Sequence, residues 1–280
     1  MLLSRARAAL LAAAVAVSAM LLVSGGSPAA AADRPYLALG DSVVFGYITQ
    51  DAPAYVNANN FIGYPSYVGQ MLDLAPTNAS CPGEASGGFQ DPTGNDNGCR
   101  TNYRAHGFPL HVNYSGTQLA FATSFLKSHP KTKLVTLGLG ANDFFLLQGC
   151  TTPQCLPDGL AVMSANIGAI LKAIRGTGYR GVLEVVNYYS LDYADPMQVA
   201  GTEGLNHFVT ASAKANGAVV ADAFTAFQTA AASHGMHTCG AGLLNGSPSS
   251  DTMCDVHPSQ TGQQILAEAV DAAYVAAGGH

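Results

Sequence analysis

Four short apolar runs recur along the chain, each bounded by turn residues. They are YLALG at residues 36–40, KLVTLGLG at 133–140, GVLEVVNYY at 181–189 and AVVADAF at 218–224. Continuous apolar runs of this length are typical of strands that are buried on both faces of a parallel sheet. We therefore predict four parallel strands at these positions.

Helical patterns lie between and after these runs. Segment 159–178 has apolar residues at spacings of three and four and then reaches glycines, which favours an amphipathic helix with a glycine end. Segment 259–278 has a similar amphipathic pattern. The alternation of strands and helices predicts an α/β fold, a three-layer α/β/α sandwich around a central, mainly parallel sheet, rather than a barrel.

The segment from Pro76 to Pro109 has no sustained periodicity. It is crowded with Gly, Pro, Asn and Asp, which predicts a long loop. Long loops are usually functional or disordered, and Cys81 and Cys99 favour an ordered, disulfide-linked one. No linker or internal repeat divides the chain, so we predict one domain over residues 33–280.

The first 32 residues have the pattern of a secretory signal peptide. Arg5 and Arg7 precede an apolar run over residues 8–23, and the small-residue stretch SPAAAAD follows. The run spans about 16 residues, short of the roughly 20 that a membrane-spanning helix needs. We therefore predict a signal peptide over residues 1–32 and a secreted, extracellular protein without an integral membrane anchor.

The charge balance excludes some classes of partner. The chain has 18 acidic and 12 basic residues, for a net formal charge of −6, and no run of Lys or Arg. Nucleic acids and anionic membrane surfaces are bound by clustered basic residues. We therefore expect no nucleic-acid partner and no electrostatic membrane anchor, and we expect a monomer.

All six cysteines lie in the predicted exported part, where disulfides form. Sequence alone does not choose among the possible pairings. The cysteines nevertheless fall into three sequence-local pairs in turn-rich segments, and no C-x-x-C pair or nearby His has the spacing of metal ligands. We expect no metal site, and we predict the disulfides Cys81–Cys99, Cys150–Cys155 and Cys239–Cys254.

Ser42 is the first candidate for chemistry, in ALGDSVVFGY at residues 38–47. A serine on the turn after a first strand lies at the carboxyl edge of the sheet, where open α/β folds place their sites. Free backbone N–H groups at the start of the following helix would stabilise an oxyanion. The alternative is that Asp41 and Ser42 only cap that helix, and a lone Gly-Asp-Ser triplet would favour that alternative.

Three further segments accompany this triplet, namely NASCPGEAS, LGLGAND and CDVHPSQTGQQILA. In this order the four segments resemble the sequence blocks of the SGNH, or GDSL, hydrolases, in particular secreted esterases and lipases of the actinobacterial type. The resemblance covers nearly the whole exported part. It implies a flavodoxin-like strand order and a serine carboxylic-ester hydrolase that acts on a small-molecule or lipid ester without a cofactor.

The resemblance also implies the role of each site residue. Ser42 is the nucleophile and His257 its base, since a hydroxyl nucleophile needs a proton acceptor within hydrogen-bond reach. The oxyanion hole consists of the backbone N–H groups of Ser42 and Gly83 and the side-chain amide of Asn142. Gly83 has no Cβ and permits a close approach, while Asn142 supplies an uncharged donor. The alternative for Asn142 is a helix cap.

The acid of this site departs from the family's usual Asp-x-x-His spacing. Cys254 stands three residues before His257, and the nearest acid, Asp255, stands two before it. Either Asp255 orients the imidazole or a backbone carbonyl does so in a Ser–His dyad, and we favour Asp255. Asp251 is a more distant candidate, and we expect Asp222 to lie at a strand end or to cap the following helix.

Apolar segments near the site favour an apolar acyl group. FFLLQG follows Asn142, and NFIGYPSYVGQML occupies residues 60–72, so we favour esters of fatty acids or lipids. One alternative is an O-acetylesterase for cell-wall or plant polysaccharide, in which tyrosines would replace the absent Trp as stacking residues. Another is a non-catalytic extracellular binding protein on the same fold.

Overall fold

The computed structural model describes residues 34–49, 52–247 and 250–280, so the predicted signal peptide lies outside the described residues. The strands are β1 (Pro35–Gly40), β2 (Ala75–Asn78), β3 (Leu134–Gly138), β4 (Val182–Val186), β5 (Val219–Ala221), β6 (Leu244–Ser247) and β7 (Ser250–Pro258). The α-helices are α1 (Ser42–Phe45), α2 (Tyr64–Leu72), α3 (Ser86–Gln90), α4 (Gln118–Ser128), α5 (Ala141–Leu146), α6 (Cys155–Gly176), α7 (Pro196–Ala215), α8 (Ala223–Ala231) and α9 (Gln260–Ala276). Single tight turns of helix occupy Ala52–Val56, Ala58–Asn60, Leu147–Gly149 and Ala232–His234, and a wider turn occupies Cys99–Tyr103.

Five parallel strands form the central sheet in the order β2-β1-β3-β4-β5. Leu37 pairs with Val135 across β1 and β3, and Thr136 pairs with Glu184 across β3 and β4. This is the flavodoxin-like order, and it confirms the predicted α/β sandwich with a parallel sheet. All five residues of β3 are buried, because helices cover both faces of the sheet.

The two faces of the sheet have separate apolar cores. On one face Leu37 and Leu137 pack with residues of α4, α6 and α7. On the other face Tyr36 and Leu134 pack with residues of α2, α8 and α9. The predicted helices at 159–178 and 259–278 correspond to α6 and α9, and their apolar residues face these cores.

The predicted long loop at Pro76–Pro109 is only partly a loop. Its first residues belong to β2, which pairs only with β1 at the edge of the sheet. Proline is tolerated on an edge strand, where a missing N–H donor can face away from the sheet. The rest of the segment contains α3 and the turn at Cys99–Tyr103, and it covers a third core that includes Phe45 and Phe61.

His257 lies in strand β7, which ends just before the last helix, α9. Strands β6 and β7 form a separate antiparallel pair, in which Gly246 lies opposite Cys254. Three disulfides link Cys81 to Cys99, Cys150 to Cys155 and Cys239 to Cys254, the same pairs that the sequence pattern predicts. In the described parts of the chain, no helix combines the length and the apolar character that crossing a membrane requires.

Candidate active site

Ser42 is the first residue of the one-turn helix α1, at the carboxyl end of β1. Asp41 caps this helix, because its Oδ1 accepts a hydrogen bond from the Val43 N–H at 2.9 Å. Gly46 ends the helix in the left-handed region, with φ 80°. Ser42 therefore lies at a helix start, where a backbone N–H has no partner within the helix and remains available to another acceptor.

His257 connects Ser42 to Asp255. Its Nε2 lies 3.0 Å from Ser42 Oγ, and its Nδ1 lies 2.9 Å from Asp255 Oδ2. Ser42 and His257 are 215 residues apart in the sequence, so the fold brings two distant segments of the chain together here. A hydroxyl bonded to an imidazole, whose other nitrogen is bonded to a carboxylate, has the geometry of an activated nucleophile.

The short spacing between Asp255 and His257 follows from the strand that holds them. Side chains alternate between the two faces of a strand, so residues two apart lie on the same face. Asp255 and His257 are both in β7 and meet this condition. Residue 254, at the usual family position of the acid, is a cysteine, and it forms the disulfide with Cys239 instead.

Asp255 is held as a carboxylate by several donors. Its Oδ2 accepts from Thr49 Oγ1 at 2.8 Å, and its Oδ1 accepts from the Val256 N–H at 2.7 Å. Burial opposes ionisation, but the hydrogen bond and the charge of His257, together with these donors, outweigh it and lower the pKa of Asp255 to about 2. A carboxylate at this position favours the imidazole tautomer that carries its proton on Nδ1, which leaves Nε2 as an acceptor.

Asp222, the other candidate acid whose side chain the structure describes, is not part of this chain of hydrogen bonds. Asp222 caps α8, as expected, and accepts from the N–H and the hydroxyl of Thr225. The side chain of Asp251 lies outside the described part of the structure.

Asn142 is the second residue of α5 and is buried. The N-cap of this helix is Gly140, so the helix-cap alternative for Asn142 is wrong. Its Oδ1 accepts a hydrogen bond from Asn97 Nδ2 at 2.9 Å. Among the described residues the NH₂ group of Asn142 has no hydrogen-bond partner, so it remains a donor for a ligand.

The neighbouring Asp143 fixes α5 against α3. Its two carboxylate oxygens accept from the Ser86 N–H at 2.9 Å and from the Ser86 hydroxyl at 2.5 Å. Burial raises the pKa of Asp143, although the hydrogen bonds from Ser86 oppose this effect. The helix that carries Asn142 is therefore tied to the segment that follows Gly83.

Gly83 occupies a position that only glycine fits. Its φ is +82°, and a Cβ there would lie 2.7 Å from the carbonyl oxygen of Asn97. An alanine would be strained in both backbone and packing. The backbone of Gly83 can therefore approach a ligand at the cavity wall.

One cavity of about 480 Å³ collects all the predicted residues that would touch a substrate, namely Ser42, Gly83, Asn142 and His257. One wall is aromatic and consists of Tyr47, Tyr55, Tyr103 and Phe108. The other apolar side chains that line it are Ala141, Phe144, Phe145, Leu191 and Leu205. No Lys or Arg of the described residues lines it, so the cavity suits a neutral, apolar ligand.

The two apolar segments that the sequence associates with this cavity differ in their placement. Phe144 and Phe145 line it. No residue of 60–72 does, because Phe61 packs under Phe45 and Tyr64 is buried against the sheet. Pattern alone does not separate a pocket wall from a core helix, since both are apolar.

Three polar residues that support the site were not predicted from the sequence. They are Thr49, Asn97 and Tyr188, whose hydroxyl donates to Asp41 Oδ2 at 2.6 Å. Each acts through long-range hydrogen bonds, and such bonds leave no periodic pattern in the sequence. In the described residues, no group of three or more His, Cys, Asp or Glu side chains could hold a metal ion.

Solved structures with the same fold include several ester hydrolases. LAE5, an α/β hydrolase from the metagenome of Lake Arreo, Spain, has 16% identity and a TM-score of 0.54 over 86% of this chain and 94% of its own. The lipase Lip_vut3 from a goat rumen metagenome has 15% identity and a TM-score of 0.53 over 86% and 97%. Axe2, an acetylxylan esterase from Geobacillus stearothermophilus, has 16% identity and a TM-score of 0.50 over 85% and 92%. Identities this low show a shared fold alone.

No curated protein matches the sequence of this chain. The profile of the GDSL-like lipase/acylhydrolase family matches residues 38–265. That range runs from within β1 into α9 and contains Ser42, Gly83, Asn142 and His257. The chain therefore belongs to the GDSL-like lipase/acylhydrolase family, as its resemblance to the GDSL hydrolases implies.

Proposed function

We propose that this protein is a secreted serine carboxylic-ester hydrolase. The observation that carries the proposal is the hydrogen-bonded chain from Ser42 Oγ through His257 to Asp255, with contacts of 3.0 and 2.9 Å. Membership of the GDSL family supports ester hydrolysis in general terms. The roles of Ser42, His257 and Asp255 rest on this geometry, and those of the oxyanion donors are the ones that the resemblance to the family implies.

The first half of the reaction forms an acyl-enzyme. Ser42 Oγ attacks the ester carbonyl carbon while His257 Nε2 takes the hydroxyl proton, and the carbonyl electrons move to the oxygen. The backbone N–H groups of Ser42 and Gly83 and the NH₂ group of Asn142 stabilise that oxyanion. When the tetrahedral intermediate collapses, the carbon–oxygen bond to the alcohol breaks, and His257 gives the proton to the leaving oxygen.

The second half releases the acid. A water molecule attacks the acyl carbon while His257 takes its proton, and the same three donors stabilise the second oxyanion. Collapse breaks the bond to Ser42 Oγ, which regains its proton from His257. Asp255 stays ionised and stabilises the imidazolium that forms in each half.

The cavity supports fatty-acyl or lipid esters as the substrate class. Its walls are aromatic and aliphatic, so a neutral acyl chain that enters the cavity would contact mainly apolar side chains. A second candidate is an O-acetylated sugar. The rings of Tyr47 and Tyr55 lie nearly parallel, at 9°, on one wall, and Tyr47 lies 4.9 Å from the His257 ring. Such rings could stack on a pyranose.

Secretion is supported by the three disulfides, which form and persist in oxidising compartments. The signal-peptide pattern of residues 1–32 supports the same proposal. Expression of the full chain in an exporting host, followed by N-terminal sequencing of the protein in the medium, tests it. Retention of residues 1–32 on a cell-bound protein would contradict it.

The test of activity is hydrolysis of nitrophenyl acetate, butyrate, octanoate and palmitate beside acetylated xylan. A preference for the longer chains supports the lipid assignment, and preference for the polysaccharide supports the second candidate. Ser42→Ala should lose several orders of magnitude in kcat while its circular dichroism stays unchanged. Near wild-type turnover by a folded Ser42→Ala protein would refute the nucleophile, and absence of all hydrolysis would favour a binding protein.

A further inference from the structure

Asn97 contacts both residues that supply oxyanion donors from outside α1. Its backbone N–H donates to the Gly83 carbonyl oxygen at 2.8 Å. Its side-chain Nδ2 donates to Asn142 Oδ1 at 2.9 Å. Asn97 therefore forms hydrogen bonds with both Gly83 and Asn142, which are 59 positions apart in the sequence.

The disulfide Cys81–Cys99 encloses this arrangement. Gly83 follows Cys81 by two residues, and Asn97 precedes Cys99 by two residues. The Cα atoms of the two cysteines are 5.6 Å apart. Both cysteines are buried. The crosslink and the backbone bond together fix the position from which the Asn97 side chain reaches Asn142.

The bond to Asn142 determines which end of that amide faces the cavity. An asparagine side chain presents an acceptor on one side and a donor on the other, and rotation by half a turn exchanges them. Asn97 offers an NH₂ donor, so it holds the Asn142 oxygen and turns the Asn142 NH₂ group away from itself. The reverse orientation would aim an oxygen at the developing oxyanion and repel it.

We propose that Asn97 is a positioning residue of the oxyanion hole and that it acts through Asn142. The proposal rests on the proposed function. Asn97 is exposed at the cavity wall, so its side chain contributes little to the core. Among the described residues, the Asn97 side chain forms one hydrogen bond, and its partner is Asn142. Positioning of Asn142 gives this polar side chain a role at the cavity wall.

The main test variant is Asn97→Asp, which has nearly the same shape but only accepts hydrogen bonds at neutral pH. We expect Asn142 to rotate and donate its NH₂ group to the new carboxylate, which leaves the Asn142 oxygen facing the cavity. The kcat for nitrophenyl butyrate should fall about a hundredfold, the range for loss of one oxyanion donor, while KM changes little. Asn97→Ala should lose about tenfold, because the amide is released rather than inverted.

Asn102→Asp is the control for the added charge. Asn102 is also exposed on the cavity wall and shares no hydrogen bond with Asn142 among the described residues. We expect the fold-decrease in kcat to be at least ten times larger for Asn97→Asp than for Asn102→Asp. Affinity for a boronic acid, which forms a tetrahedral adduct with a serine, should fall in parallel with kcat.

The second arm repeats Asn97→Asp in an Asn142→Ala background. If Asn97 acts through Asn142, the double variant should have the same kcat as Asn142→Ala alone. Equal losses in Asn97→Asp and Asn102→Asp, or full additivity with Asn142→Ala, would overturn the proposal. An Asn142→Ala protein with wild-type kcat would instead refute the oxyanion hole of the proposed function, so the two failures are distinguishable.

Discussion

Asp41 and Tyr188 form a buried hydrogen bond of 2.6 Å between residues that are 147 positions apart. The other oxygen of Asp41 caps α1, so this carboxylate joins the helix of Ser42 to the segment that follows β4. Burial raises the pKa of Asp41 to about 6, although the hydrogen bonds from Tyr188 and Val43 and the charge of His257 oppose this. The fold therefore favours the protonated form, and stability falls as the pH rises from about 4 to about 6.

Tyr188→Phe should destabilise the protein more at pH 8 than at pH 5. At pH 8 Asp41 is ionised, and loss of the Tyr188 hydroxyl removes one of the two hydrogen-bond donors to its carboxylate. The free energy of unfolding should fall by about 1–3 kcal/mol. At pH 5 the carboxyl is mostly neutral, and the loss should be smaller. Urea denaturation at both pH values measures the difference.

Tyr189→Phe is the matched control for this prediction. The Tyr189 hydroxyl donates to the Val256 carbonyl oxygen at 2.7 Å, a neutral acceptor, so its loss should not depend on pH over this range. Equal destabilisation by Tyr188→Phe at the two pH values would contradict the role assigned to Asp41.

Asp255→Asn should lower kcat by well over tenfold. The amide NH₂ would donate to His257 Nδ1, which places the imidazole proton on Nε2 and removes the acceptor for the Ser42 hydroxyl. Thr49→Val, which removes one donor to Asp255 and keeps the carboxylate, should lose less. Steady-state kinetics with nitrophenyl butyrate decides the matter: a loss below about tenfold, or roughly 1.4 kcal/mol in barrier, would favour a Ser–His dyad.

Cys239→Ser with Cys254→Ser should lower kcat while circular dichroism still reports a folded protein. Cys254 precedes Asp255 in β7, and its disulfide ties an isolated pair of strands, which has little stability of its own. The crosslink should contribute about 3 kcal/mol, and a released hairpin would let His257 move away from Ser42.

Disulfide mapping by mass spectrometry and kinetics on the folded double variant test this prediction. Cys150→Ser with Cys155→Ser is the control, because that disulfide closes a shorter loop outside the hairpin. A folded Cys239/Cys254 variant with full activity would show that the hairpin needs no crosslink to hold the base.

Glu184→Gln should stabilise the protein at alkaline pH and not at acidic pH. Glu184 is fully buried in β4, and neither of its oxygens has a hydrogen-bond partner among the described residues. Burial, with a smaller effect from the charge of Asp271, raises its pKa to about 9. Because the unfolded side chain ionises near pH 4.3, stability should fall as the pH rises from about 4 to about 9, by up to about 1.4 kcal/mol per pH unit.

Denaturation of wild type and Glu184→Gln at pH 5, 7 and 8.5 measures this slope. The glutamine variant should lose the part of the slope that Glu184 contributes, most clearly between pH 7 and 8.5, where Asp41 is already ionised. Glu203→Gln, an exposed position on α7, controls for the change in net charge. An unchanged slope in Glu184→Gln would mean that Glu184 is ionised in the folded protein.

The central strands of the fold could be predicted from the sequence because burial on both faces makes each of them a continuous apolar run. The edge strand β2 could not, since Pro76 and its polar neighbours resemble a loop and only one side of the strand is paired. Strands β6 and β7 were also missed. They are held by pairing with each other and by the disulfide at Cys254, and neither leaves an apolar pattern.

The site divides in a similar way. Ser42, Gly83, Asn142 and His257 stand in recognisable segments, and the fold brings them to one cavity. The hydrogen bond between Asp255 and His257 depends on strand β7, which the sequence pattern does not predict. Thr49 and Asn97 bond to residues that are far from them in the sequence. Residues of this second kind become visible only when the tertiary structure is known, because their partners are not neighbours in the chain.

The separation of 215 residues between Ser42 and His257 also affects biosynthesis. A ribosome completes the nucleophile segment early and β7 only after all five strands of the central sheet have been made. Contacts between such distant segments form late in folding, because a long loop must first be closed. If the proposed chemistry is correct, a nascent or truncated chain without β7 holds a serine with no base. Hydrolytic activity then begins only after β7 has been made and has paired with β6.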